Sequence, residues 1–270
     1  MVGQEKNTNM LVNWRLKKSV PRFILIEGEE GSGRLTLAKS IIKILNATGV
    51  IVGNSIDDVR KTIENAYNVQ STTVYIFRNA DDMSLNAKNS LLKVVEEPPN
   101  KAYFIMTLKS IDGTLDTIKS RGTLIKMQPY TKEQLKTFTS DDLVIKYCNT
   151  PGKCKNLDRM QILTAETTVN EVIDGLVSKS GTKILKACTK LKSKEAETDK
   201  LDCSLFLSVF ENLIESNISS LYIYLECLTH IEKCKRELTS KSINKKASIE
   251  CMLIKILEVF KSAEISKKMD

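Results

Sequence analysis

Three glycines, Gly28, Gly31 and Gly33, punctuate the stretch GEEGSGRLTLA, which follows the apolar run RFILIE and leads into residues at helical spacing. Strand, glycine turn, helix is the arrangement in which backbone N–H groups surround a phosphate at a helix N-terminus. In the full pattern G-x-x-x-x-G-K-[ST], the Lys reaches the β- and γ-phosphates and the Ser or Thr hydroxyl ligates Mg²⁺. Arg34 and Leu35 stand at those two places. Arg34 keeps a positive charge but spreads it over a planar fork that does not replace a compact ammonium. Leu35 removes the metal ligand, and Thr36 comes one residue late, turned by about 100° on a helix.

The other half of such a site is an acidic pair after a neighbouring strand, one carboxylate for Mg²⁺ and one to position water. Counted from the run VYIF, those places hold Arg78 and Asn79. A cation where the metal belongs is incompatible with Mg²⁺ catalysis, and an amide is no base. Asp81 and Asp82 offer displaced ligands, but beside a helix that Ser84 caps they read as solvated charge. Four altered positions argue together against hydrolysis by this chain. No cofactor is required; ATP or ADP held without hydrolysis stays open. No metal site is expected: Cys148 and Cys154 bracket NTPGK, which is not ligand spacing, and the one His is His230.

These residues need a scaffold, and the pattern along the chain supplies one. After the glycine turn, SIDDVRKTIENAYN reads as a helix opened by Ser55, and TTVYIF as a strand. SLNAKNSLLKVVEE is a helix from Ser84 to Pro98-Pro99, AYFIMTL a third strand and TLIKMQP a fourth. Strands alternating with helices predict an α/β fold with a parallel, doubly wound sheet, whose ligands sit at the strand C-terminal ends. From Tyr130 onward the pattern is helical, with TPGK (150–153) as a turn between helices. The charged run 190–200 is expected as a hinge, and the amphipathic segments beyond it as a separate bundle.

At 270 residues the chain can bury a substantial core, and 41 basic against 33 acidic residues give it +8 at pH 7 and a pI near 9.0. That balance favours nucleic acid or an acidic protein surface as partner. Seven cysteines, all from residue 148 onward and with no C-x-x-C pair, fit a reduced cytoplasmic setting with most thiols acting as small apolar residues. No apolar run approaches the ~20 residues of a membrane span, and the first ten residues show no signal-peptide pattern.

The segment from Asn79 to Gly122 resembles bacterial clamp-loader subunits of the DNA polymerase III delta-prime type. The shared features are the A-D-x-M turn (Ala80, Asp81, Met83), the block N-S-L-L-K-x-x-E-E-P-P (Asn89 to Pro99), the strand ending in Thr107, and T-I-x-S-R (Thr117 to Arg121). The resemblance extends to SVPRFILIEGEEGSG, to SIDDVRKTIE, to TPGK and to SINKKASIECMLIKI. It implies a RecA-like AAA+ domain over residues 1–129, a helical lid over 130–189, the hinge at 190–200 and a helical collar over 201–270. It further implies a subunit of a hetero-pentamer that places a sliding clamp on primer-template DNA, often with little ATPase activity of its own.

In the family a Ser-Arg-Cys element delivers an arginine to the neighbouring subunit's ATP. Ser120 and Arg121 match it, with Gly122 in place of Cys. A guanidinium delivered in trans stabilises charge on the transferring phosphoryl group. The family's cysteine-rich zinc module is missing; NATGVIVGN bridges that gap, as expected of a reduced member from a phage or a divergent bacterium. Thr107 matches a γ-phosphate sensor, and Lys153 lies where a second sensor can sit. Two other functions stay open: an active AAA+ ATPase using Arg34 with Asp81 and Asp82, and a DNA-binding module touching phosphates through Lys39, Lys43, Lys88 and Lys93.

Overall fold

The computed structural model describes residues 1–193, 197, 199–218, 220–238 and 243–269. In chain order its elements are α1 (Glu5–Lys17), β1 (Phe23–Glu27), α2 (Arg34–Leu45), β2 (Thr48–Val52), α3 (Ile56–Tyr67), β3 (Thr73–Phe77), α4 (Leu85–Glu96), β4 (Ala102–Leu108), α5 (Asp116–Lys119), β5 (Thr123–Lys126) and α6 (Lys132–Leu135). There follow α7 (Asp142–Tyr147), α8 (Pro151–Asn156), α9 (Arg159–Val177), α10 (Gly181–Cys188), α11 (Cys203–Asn217), α12 (Leu221–Leu238) and α13 (Lys245–Met269). Two compact units form: Met1–Ser140 with Cys148–Asn156, and Asp141–Tyr147 with Leu157–Asp270.

The first unit is built on a five-stranded, all-parallel sheet in the order β2-β3-β4-β1-β5. Alternate residues along the central strands feed two cores, as the two-residue period of a strand requires. Ile24, Ile26, Val74, Ile76 and Ile105 point to one face and meet Leu11, Leu37, Ala38 and Ile41 from α1 and α2. Phe23, Leu25, Tyr75, Phe77, Phe104 and Met106 point to the other and meet Val59, Leu91, Val94 and Ile118 from α3, α4 and α5. The helix starts work as their residue types predict: the hydroxyl of Ser55 accepts the Asp58 N–H, and that of Ser84 accepts the Ala87 N–H.

The one-turn helix α5, β2 and α1 were not among the expected elements. β2 lies within the stretch NATGVIVGN, expected only to bridge a gap; it is an edge strand whose short run Val50-Ile51-Val52 is exposed except at Val52. α1 is held through amides as well as through Leu11: Asn7 donates to the Lys126 carbonyl at 3.0 Å and Gln4 to that of Gln128 at 2.8 Å. Its sequence therefore carries no strong apolar period.

The second unit is helical. Ile162, Ala165, Val169, Val172 and Leu176 of α9, Phe206 and Phe210 of α11, Ile231 of α12 and Ile256 of α13 are buried. Within it, the Tyr147 hydroxyl donates to Glu166 at 2.6 Å and Arg159 pairs with Asp141 at 2.8 Å. The segment expected as a hinge over 190–200 has its ends side by side: the Lys192 N–H donates to the Leu201 carbonyl at 2.9 Å and the Leu201 N–H to the Lys190 carbonyl at 3.0 Å. Residues 194–196 and 198 of that expected hinge lie outside the described residues.

Cys188, Cys203, Cys227 and Cys234 are buried, as small apolar residues would be. Cys148 and Cys154 differ from that expectation. They form a disulfide across Asn149–Lys153, with Cα atoms 5.7 Å apart, because α8 starts between them and folds the chain back. No described helix is long and apolar enough to cross a membrane.

Candidate phosphate site and the Arg121 loop

β1 delivers the chain to a loop at the C-terminal ends of β1, β3 and β4, where ligands of open parallel sheets bind. Gly31 and Gly33 adopt φ of +80° and +96°, the left-handed region that glycine enters at least cost. The loop's outer side is covered by the segment expected as a turn at TPGK. That segment is instead a helix start, with Pro151 at the first position of α8. Thr150 donates its hydroxyl to the Glu30 carbonyl, Gly152 its N–H to the Gly31 carbonyl and Tyr130 its hydroxyl to the Ser32 carbonyl, each at 2.9 Å. The approach is so close that a Cβ on Gly152 would lie 2.5 Å from the Gly31 Cα. Lys153 donates to Asn149 at 2.9 Å and sits 3.5 Å from Glu29.

Arg34 opens α2 and is 7% exposed. Its Nη2 donates to Asn79 Oδ1 at 3.2 Å, while Nη1 is buried with no partner. Burial pulls its pKa below the ordinary value; Asp81 and Glu30 pull it back up, and nearby Arg78 adds to the drop. Asn79 is fixed in turn, its N–H donating to the Thr107 hydroxyl at 3.0 Å, so Thr107 holds the strand end. Asn54, which sequence reasoning missed, donates to the Arg78 carbonyl at 2.8 Å.

Gly31, Gly33, Arg34, Arg78 and Asn79 therefore line one cavity of 470 Å³, together with Glu30, Leu35, Thr36, Thr107 and Lys153. Gly28 belongs to a neighbouring cavity, with Met127 and Tyr130. The first cavity does not fit Mg²⁺. That ion asks for an octahedron of oxygens anchored by one or two carboxylates; here Glu30 is the one lining carboxylate and is outnumbered by Arg34, Arg78 and Lys153, Leu35 offers no ligand, and Asn79 Oδ1 accepts from Arg34.

Two expectations are corrected at the neighbouring loop. Asp81 is not merely solvated: its carboxylate accepts the Lys109 N–H at 2.7 Å and that of Ser110 at 3.5 Å. Lys88, expected as a possible phosphate contact, is 7% exposed and donates to the Gly113 carbonyl at 3.1 Å. With Glu27 accepting the Ile111 N–H at 2.9 Å, residues 109–113 are tied at several points ahead of α5.

Arg121 follows α5 and lines neither cavity. Its Nη1 donates to the Thr117 carbonyl at 2.8 Å and its Nη2 to Glu96 at 3.1 Å, with its side chain one-third exposed. Ser120 donates to the same Thr117 carbonyl at 3.2 Å. Glu96 is a partner that sequence reasoning missed, although it opens the E-E-P-P block. At Gly122 a Cβ would lie 2.7 Å from Leu25 Cγ and Cδ1, so this glycine lets the Arg121 loop lie against β1.

Residues 41–131 match the family profile described as DNA polymerase III, delta subunit. The chain is 28% identical over 151 residues to DNA polymerase III subunit gamma/tau of Mycoplasma genitalium, covering 44% of this chain and 25% of the relative. It is 41% identical over 56 residues to DNA polymerase III subunit delta' of Bacillus subtilis, covering 21% and 17%. The chain thus aligns with a quarter or less of these relatives' lengths. Among solved structures, a gamma subunit-related protein of Thermotoga maritima superposes with a TM-score of 0.54 at 16% identity, over 93% of this chain and 99% of that one. That likeness shows a shared fold.

Proposed function

We propose, on the match of residues 41–131 to the DNA polymerase III delta subunit profile and the similarity to gamma/tau and delta' chains, that the chain is a clamp-loader subunit, and specifically a non-hydrolysing, delta-prime-like one that supplies Arg121 to a neighbouring subunit's ATP. Its partners in this reading are the other subunits of a hetero-pentamer, a sliding clamp and primer-template DNA, in the cytoplasm. The observation that carries the first half is the Arg34–Asn79 hydrogen bond, since the residue at the phosphate-binding lysine place donates to the amide at the water-positioning place.

The second half rests on the state of Arg121. Its pairing with Glu96 joins side chains that are 33% and 57% exposed. Such pairs contribute about 0.2–1 kcal/mol, and the exposed Nη1–Thr117 hydrogen bond about 0.5–1.5 kcal/mol; a phosphoryl group presented by a neighbour would replace both with charged hydrogen bonds. The glycine at 122 holds the loop by close contact with β1 rather than by a side chain.

A second reading, an active gamma-like ATPase subunit, draws on the longer alignments with gamma and tau chains. ATP turnover by the purified chain separates the two. The proposed function expects no Mg²⁺-dependent hydrolysis from the chain alone, and a rise in clamp- and DNA-dependent hydrolysis when it joins gamma-type partners. Turnover by the isolated chain that is lost in Arg34→Ala would establish the active ATPase instead.

A further inference from the structure

Cys148 and Cys154 are bonded to each other in a chain whose five other cysteines are free thiols. The cytoplasm, where the proposed function places the chain, is kept reduced, and disulfides that occur there are usually transient or redox-sensing. That placement is the one part of the proposed function used here. The residues between the two cysteines are those that cover the glycine loop. Asn149 donates to the Glu29 carboxylate at 2.5 Å and Lys153 sits 3.5 Å from it, while Thr150 and Gly152 donate to the Glu30 and Gly31 carbonyls, each at 2.9 Å. The two backbones touch, since a Cβ on Gly31 would lie 2.7 Å from Thr150 Oγ1 and 2.9 Å from Gly152 Cα. Both cysteines are buried, at 1% and 4% exposure, so a reductant reaches the sulfurs when the segment lifts from the loop. Docking and reduction are therefore linked. Whatever holds residues 149–153 down protects the bond, and the bond limits the freedom the segment gains by lifting.

We propose that Cys148–Cys154 is a reversible thiol–disulfide site that clasps the cover of the glycine loop. Oxidised, it keeps residues 149–153 on Glu29, Glu30 and Gly31; reduced, it lets them release and uncover the loop. The reductant is a dithiol. Its thiolate attacks one sulfur of the bond, forming a mixed disulfide and freeing the other cysteine, which takes up a proton. The second thiol of the reductant, on losing its proton, then displaces the remaining cysteine. The chain gains two electrons and two protons, and the dithiol gives them up as its own disulfide. Oxidised glutathione runs the exchange in reverse and leaves as two thiols.

The test follows amide hydrogen exchange of the full chain after treatment with oxidised glutathione or with dithiothreitol, beside Cys148→Ser as a permanently open form. Reduction is expected to speed exchange severalfold over residues 28–33 and 149–153 and to leave β3 and β4 unchanged. Oxidised glutathione should restore the slow state in wild type and not in Cys148→Ser. Thr150→Val removes the hydroxyl that holds the Glu30 carbonyl, the loss of one hydrogen bond, and should speed reduction of the bond by about fivefold. That rate is read by trapping the released thiols and mass spectrometry, and it keeps the test valid if the Cys148 variant fails to fold. Thiols at 148 and 154 that stay free in oxidised glutathione would overturn the proposal. So would a bond that dithiothreitol cannot open in the folded chain, equal exchange in the two states, or reduction no faster in Thr150→Val. Failure of Arg121 to stimulate a partner's ATP hydrolysis defeats the proposed function and leaves this site standing.

Discussion

Replacing Gly122 by Ala probes the loop that carries Arg121. The new Cβ would sit 2.7 Å from Leu25 Cγ and Cδ1 and 3.2 Å from Phe23 Cε1. Leu25 is fully buried in the middle of β1, so its Cγ cannot swing aside as the end of a surface side chain could. Overpacking of this kind costs about 1–3 kcal/mol. The substitution also restricts the unfolded chain, which returns about 0.4–1 kcal/mol. The net loss is roughly 1–2 kcal/mol. Gly113→Ala is the internal control: nothing lies within 4 Å of its Cβ, so it should be neutral or stabilising by up to about 1 kcal/mol. Urea denaturation of both variants measures the difference, with midpoints shifting in opposite senses or only Gly122→Ala shifting down. Equal midpoints, or a Gly122→Ala variant as stable as wild type, would refute the packing argument.

Further outcomes follow from the cysteines. Burial pushes the Cys188, Cys227 and Cys234 thiols up to about 12 and Cys203 to about 11. At pH 8, iodoacetamide should therefore modify exposed Cys251 first, read by mass spectrometry, and the buried four only after unfolding. Because these thiols are raised above an ordinary value of 9.0, their contribution to stability is present below that pH and is lost as pH rises from it toward 12. Reduction of Cys148–Cys154 reopens a short loop, and the chain-entropy relation puts the loss at about 2 kcal/mol. Thermal unfolding with and without reductant, beside Cys148→Ser, measures it; no difference would mean that the docked α8 start holds the segment unaided.

The sheet was legible where each strand is an apolar run between turn residues, and the starts at Ser55 and Ser84 were legible because capping is local chemistry. β2 was not: its apolar stretch, Val50-Ile51-Val52, is only three residues long and stands exposed at the sheet edge. α1 was hidden because Asn7 and Gln4 dock it by amide hydrogen bonds that leave no periodic trace. At the site, the substitutions at residues 34, 35, 78 and 79 were plain in the sequence. Their consequence, Arg34 donating to Asn79 beside a bare buried nitrogen, depends on two loops 45 residues apart. The docking of residues 149–153 on Glu30 and Gly31 is equally non-local, and TPGK alone reads as any turn. Asp81 looked solvated because its acceptors' partners, the Lys109 and Ser110 N–H groups, come from the end of another strand.

The central claim is that Arg121 acts on a nucleotide held by another subunit. It is tested most directly by clamp- and DNA-stimulated ATP hydrolysis in an assembly reconstituted with gamma-type subunits, comparing wild type with Arg121→Ala. An arginine supplied in trans contributes on the order of 10³–10⁵ in turnover at the site it serves. The account predicts that the variant co-elutes with its partners and fails to raise their hydrolysis. A variant that assembles and stimulates as well as wild type would contradict it.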